Sequence, residues 1–218
     1  MGIGKKGFTL VEIIVSLAIM TIVAGAVGAF VVAGNNSYMR GNKELTLQEE
    51  AQLTANQMID LIIDVEKGIS FSNLTDQEAV DVDGNVAKDV NGMEVTNASV
   101  SELRLINNDN SYMIRWQGGA GADYADANQV YLYEVTNTKD GEGKVVVGDF
   151  DAAKPALMAE HVSSFSVDLS ELDKRKVVLN MIFTYQDKSY DISETIKLRN
   201  DLSSEPSSIY SWISGIRI

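Results

Sequence analysis

Apolar positions divide the chain into three regimes. From Phe8 to Met39 apolar and small residues dominate, Glu12 is the one charged side chain, and no proline interrupts. A single helical span needs about 20 apolar residues with every backbone bond made internally, so residues 8–34 predict a membrane-crossing helix. From about Asn36 to Lys67 the pattern turns amphipathic. Leu47, Ala51, Ala55, Met58, Ile62 and Val65 recur at spacings of three and four, with Ile59 and Ile63 widening the stripe. Glu49, Glu50, Gln52, Asn56, Asp60 and Asp64 take the other faces, and Gly68 is placed to stop the helix. Residues 8–34 and 35–68 therefore read as two halves of one long helix.

After Gly68 the apolar period changes to two. Residues 69–100 are rich in turn formers, among them Asp83-Gly84-Asn85 and a hairpin signal at Asn91-Gly92. Strands are predicted over 102–106, 112–116, 129–135, 163–169, 177–185 and 189–198, with a hairpin loop between Val135 and Val145. Val177, Leu179, Met181, Phe183 and Tyr185 share one strand face, as do Phe165, Val167 and Leu169. Asp187-Lys188 is placed as the reversal between the last two strands. The predicted fold class is α+β: an antiparallel sheet over residues 69–218 with one face covered by the amphipathic helix half.

Composition narrows the function. The 218 residues allow an anchor helix plus one domain large enough for a core of its own. Net charge is −13, and −15 without the leader lysines Lys5 and Lys6, which argues against nucleic-acid binding by the domain. With no cysteine, packing and hydrogen bonds alone must hold the domain. Candidate chemistry is sparse. His161 is the single histidine and reads as structural, no catalytic motif supports an enzyme, and no cofactor is expected. Asp81-x-Asp83-Gly84-Asn85 has calcium-loop residue types but neither the spacing nor the closing glutamate, so a solvated turn is predicted. Gly118-Gly119-Ala120-Gly121 reads as a flexible loop. The tail after Asn200, with Pro206, Tyr210 and Trp212, is either a packed flap or an exposed contact.

The informative chemistry lies at the start. Lys5 and Lys6 precede the span and nothing basic follows it directly, which orients the N-terminus to the cytoplasm and the domain outward. Glu12, about a turn inside the apolar run, carries a cost of roughly 2.5–3.5 kcal/mol at mid-membrane, somewhat less near the interface, and so calls for a partner. Lys5-Lys6-Gly7-Phe8-Thr9-Leu10-Val11-Glu12 resembles the class III signal of type IV prepilins and type II secretion pseudopilins. The resemblance implies cleavage between Gly7 and Phe8 by a prepilin peptidase, N-methylation of Phe8, and assembly in which Glu12 pairs with the Phe8 amine of a neighbouring subunit. On that account the Glu12 carboxylate is compensated only by docking.

The sheet ending in Ile196-Lys197-Leu198-Arg199-Asn200, with the Gln48–Lys67 helix segment, resembles the larger minor pilins of the W and J types. Such a subunit is implied to meet other pilins or pseudopilins, an inner-membrane assembly platform and membrane lipid, passing from the cytoplasmic membrane into a pilus or pseudopilus. Residues 1–7 would then be a leader. Gly25, Gly28 and Gly34 are the places where the span could loosen, and Gly25, Ala29 and Ala33 form a stripe for close helix approach. Two alternatives stay open: a secretory signal cut near Ala24, Ala26 or Ala33, and an ordinary single-span anchor carrying an extracellular binding domain.

Overall fold

A computed structural model describes residues 9–96, 98–118 and 127–202. Among the described residues the fold is α+β: one α-helix, α1 (Leu10–Ile63), and antiparallel sheets. The chain divides into two compact units, Met1–Thr46 and Leu47–Ile218, so that α1 gives its residues up to Thr46 to the first and the remainder to the second.

In the first unit the apolar side chains are uncovered, from Leu10 to Val32. The helix continues without a break through Gly25, Gly28, Gly34 and Gly41. Its early hydroxyls are satisfied internally: Ser16 donates to the Glu12 carbonyl and Thr21 to that of Leu17, each at 2.7 Å. Hydrocarbon demands this internal satisfaction of backbone and hydroxyl groups.

In the second unit α1 buries Leu47, Ala51, Ala55, Met58 and Ile62 along the expected stripe, together with Thr54, whose hydroxyl bonds the Glu50 carbonyl. The helix ends at Ile63, earlier than a stop at Gly68 implied. The chain returning after the last strand caps it, with Arg199 N–H donating to the Ile63 carbonyl and Asn200 Nδ2 to that of Val65. Gly68 instead opens a strand.

Strands β1 (Gly68–Gln77), β2 (Ala98–Ile106), β3 (Asn110–Gly118), β4 (Gln129–Thr136) and β7 (Ala156–Ala159) form a sheet in the order β1-β2-β3-β4-β7. Strands β8 (Val162–Asp168), β9 (Lys176–Tyr185) and β10 (Lys188–Lys197) form a second, in the order β10-β9-β8. β5 (Thr138–Lys139) and β6 (Val145–Val146) are the expected hairpin between Val135 and Val145. Three expectations are corrected. Among the described residues there are two main sheets where one was predicted, residues 68–77 are a strand and not loop, and the last reversal is Gln186-Asp187, because Tyr185 pairs with Lys188. Gly118 closes β3 and does not begin a loop, while residues 119–121 lie outside the described residues.

Both sheets and the α1 stripe enclose one core, with Leu103, Leu105, Ile114, Leu179, Met181 and Phe183 essentially inaccessible. Phe71 of β1 meets Phe165 of β8 edge to face at 5.6 Å. The five-stranded sheet is also covered on its other side, where Met113, Tyr131, Tyr133 and Val135 pack with Phe150. Chain excursions thus cover the face opposite the α1 stripe.

One excursion is an eight-residue repeat. Ala79-Val80-Asp81-Val82-Asp83-Gly84-Asn85-Val86 is followed by Ala87-Lys88-Asp89-Val90-Asn91-Gly92-Met93-Glu94, and then Val95. The equivalent residues Ala79, Ala87 and Val95 close a ring of backbone bonds: Ala79 N–H to Val95, Ala87 to Ala79, Val95 to Ala87. Each copy is a tight hairpin, bridged at Val80–Val86 and Lys88–Glu94, with Gly84 and Gly92 at φ +86° and +79°. Asp81 Oδ1 accepts the amides of Asp83 and Asn85, and Asp89 Oδ1 those of Asn91 and Met93, all at 2.9 Å. The Asp81 carboxylate, one of the calcium-loop residue types, thus serves its own turn. The expected hairpin at Asn91-Gly92 is the second copy.

The Met93 amide, ahead of the Asn91 contacts, holds the Asp89 carboxyl below its ordinary value of 3.8. A depressed folded pKa stabilises the hairpin above the unfolded value, and that contribution is lost as pH falls through the folded one. An NMR titration should therefore place the Asp89 midpoint below 3.8, with the Met93 amide shift moving in step. A midpoint at or above the ordinary value would remove this role.

Candidate processing and assembly site

The first described residues form a helix cap. Thr9 precedes the first helical residue, Leu10, and its hydroxyl oxygen accepts the Glu12 amide at 3.3 Å. In return Glu12 Oε2 accepts the Thr9 amide at 3.4 Å and lies 3.5 Å from the Thr9 hydroxyl. Thr9-x-x-Glu12 is therefore a capping box, in which a threonine and a glutamate three residues on satisfy two orphan amides reciprocally. The carboxylate also sits at the positive end of the helix dipole, where negative charge is favoured.

Glu12 thus has hydrogen-bond partners within its own chain, beside the neighbour's amine that docking is expected to bring. The signal lies in the sequence, since Thr-x-x-Glu ahead of an apolar run is a capping signature. Taking Glu12 as a lone membrane charge hides the part that Thr9 plays.

Downstream, the glycines of the helix stand on an uncovered surface. A Cβ placed on Gly25, Gly28 or Gly34 would meet nothing within 4 Å, so no packing inside the chain requires glycine there. The helix is long and apolar enough to cross a membrane, and none of that stretch is buried. Gly7 and Phe8 lie outside the described residues.

His161, expected to be structural, is held at the corner between β7 and β8. Its Nδ1 lies 2.6 Å from Glu50 Oε2 of α1, and Glu50 Oε1 accepts the Glu160 and His161 amides. Its ring rests edge-on against Tyr185. The imidazole and the Glu50 carboxylate together tie the helix to the sheet corner.

The model of the prokaryotic N-terminal methylation motif matches residues 4–28. The chain carries the type IV prepilin and pseudopilin signature. The match spans the expected cut, the capping box and the first turns of the span, and with the apolar N-terminal helix it supports a likeness to type IV pilins and pseudopilins. Helix and motif together fit a membrane-anchored, single-pass protein. The motif implies processing by a prepilin peptidase and assembly with other pilins. No curated protein and no solved structure matches the chain.

Proposed function

We propose that this chain is a minor pilin or pseudopilin: a non-catalytic structural subunit that enters a type IV pilus-like filament through its N-terminal helix. The observation that carries the reading is the methylation motif at 4–28 running directly into an apolar helix that is uncovered among the described residues. A helix apolar all round needs lipid, other helices, or both. In this reading the peptidase cuts between Gly7 and Phe8 and methylates Phe8. The subunit waits in the cytoplasmic membrane with its N-terminus inside and its acidic domain outside, and the assembly platform then moves it from lipid into the helix bundle of a filament. The two-sheet domain, with both faces of the larger sheet occupied, favours a minor subunit. Major subunits are expected to be simpler there.

Processing provides the test. Mass spectrometry of the protein from its native membrane should give an N-terminal peptide beginning at N-methylated Phe8. Chains beginning after Ala24 or Ala26 would assign the segment to ordinary secretion. An uncut N-terminus would leave a plain anchored domain.

A further inference from the structure

The second hairpin of the eight-residue repeat holds the chain's single Asn-Gly step, Asn91-Gly92, and both residues are exposed. Asparagine is a chemically labile side chain, and before glycine no Cβ shields the next backbone nitrogen from it. The Gly92 nitrogen can then bond to Asn91 Cγ while the Cγ–Nδ2 bond breaks. The displaced proton of Gly92 leaves with the side-chain nitrogen as ammonia, and water opens the resulting cyclic imide. Opening at Cγ leaves aspartate in a normal backbone. Opening at the Asn91 carbonyl carbon leaves isoaspartate, whose backbone runs a carbon longer through the side chain.

The turn ties down both reacting groups. Gly92 N–H donates to the Asp89 carbonyl at 2.9 Å, and Asn91 Nδ2 donates to Asp89 Oδ2 at 3.2 Å. Asp89 Oδ1 holds the Asn91 and Met93 amides as well. The imide cannot form until Gly92 releases that carbonyl and the Asn91 side chain swings onto its nitrogen, so the hairpin must open locally first. The same frame occurs twice more with an acid in the place of Asn91. In the first copy it is Asp83, between Asp81 and Gly84. In the β5–β6 hairpin it is Glu142, where Asp140 Oδ1 accepts the Glu142 and Lys144 amides at 2.9 and 2.8 Å and Gly143 stands at φ +79°, as Gly92 does. An aspartate at position 91 therefore fits this turn unchanged.

We propose that Asn91 is a site of spontaneous deamidation gated by Asp89. The closed hairpin keeps the asparagine, and conversion through the open one turns Asp-Val-Asn-Gly into the Asp-Val-Asp-Gly of the first copy. Conversion adds a negative charge to a chain already at −13. The assignment concerns this hairpin alone and is independent of filament assembly.

Mass spectrometry of peptides spanning position 91, taken over time from the full chain in detergent micelles at neutral pH, tests it. A free synthetic peptide of residues 86–95 should convert about tenfold or more faster than the full chain. Asp89→Ala in the full chain, which removes the side-chain bonds, should approach the rate of the peptide. Asp89→Asn keeps an Oδ1 acceptor for both amides and should stay slow. Asn91→Asp should leave the melting temperature unchanged. Conversion as fast in the full chain as in the peptide would overturn the gate, and this comparison stands even where Asp89→Ala disturbs the fold. Equal rates in the wild type and a folded Asp89→Ala would overturn the part given to Asp89, and a peptide that does not convert would overturn the site itself.

Discussion

Removing residues 1–67 is expected to abolish cooperative folding of the sheets, whereas removing residues 1–35 should leave them folded. The longer fragment keeps Leu47, Ala51, Ala55, Met58 and Ile62, each no more than 4% exposed, in the core that both sheets share. Burying a leucine, methionine or isoleucine is worth about 1.5–3 kcal/mol. Leu47, Met58 and Ile62 together thus approach the roughly 5–15 kcal/mol that separates a domain from its unfolded state. The shorter fragment also loses the Glu50 carboxylate that holds the β7–β8 corner and the Ile63 carbonyl that receives Arg199. Met58→Ala, at a fully buried site, grades the effect and should cost about 2–5 kcal/mol. Thermal melts followed by circular dichroism check both. If the shorter fragment melts as cooperatively and at the same temperature, the helix is not part of the core.

The helix stripe is legible in the sequence because its period is strong and each large residue in it has one place to go. Thr54 is not, since a threonine joins an apolar face only when its hydroxyl can bond a carbonyl one turn back. β1 escapes a local reading because Ser70, Ser72, Asn73 and Thr75 look like loop, and only pairing with β2 makes Ile69 and Phe71 inward positions. β7 escapes it because it is four residues long and follows Pro155. The division into two sheets depends on Glu50 and Trp116, which grip residues 160–162 from distant parts of the sequence, and no local pattern carries that. The eight-residue repeat is present as Asp-Val-x-Gly at Asp81 and Asp89, but turn composition hides its periodicity. At the candidate site the Gly-Phe junction and the glutamate are legible from the family resemblance. The threonine is legible from local chemistry alone.

The capping box separates two roles of Glu12 that a single substitution would merge. Glu12→Gln keeps an acceptor for the Thr9 amide, since glutamine serves at this position of the box, but it cannot form an ion pair with a neighbour's amine. Thr9→Ala keeps the charge and loses the side-chain cap, at about 0.5–2 kcal/mol of helix stability. Glu12→Val loses both, and also removes a carboxylate that costs roughly 2.5–3.5 kcal/mol at mid-membrane. If docking uses the charge, Glu12→Gln and Glu12→Val should both reduce co-purification with the other filament subunits by about tenfold or more, which corresponds to about 1.4 kcal/mol. Membrane abundance and the fold of the outer domain should not change in either. Thr9→Ala should assemble far better than the two charge variants, because a frayed first turn still presents a carboxylate. The opposite order, with Glu12→Gln near wild type and Thr9→Ala impaired, would make Glu12 a helix cap and nothing more. The comparison requires all chains to be cut, so the N-terminus of each variant is verified by mass first. A subunit at a filament tip has no neighbour above it, and its glutamate would then tolerate change better than that of the subunits beneath. Co-purification at graded expression of the major subunit reads that difference: a loss for Glu12→Gln that the excess restores places this chain at the tip, and a loss that persists places it within the fibre.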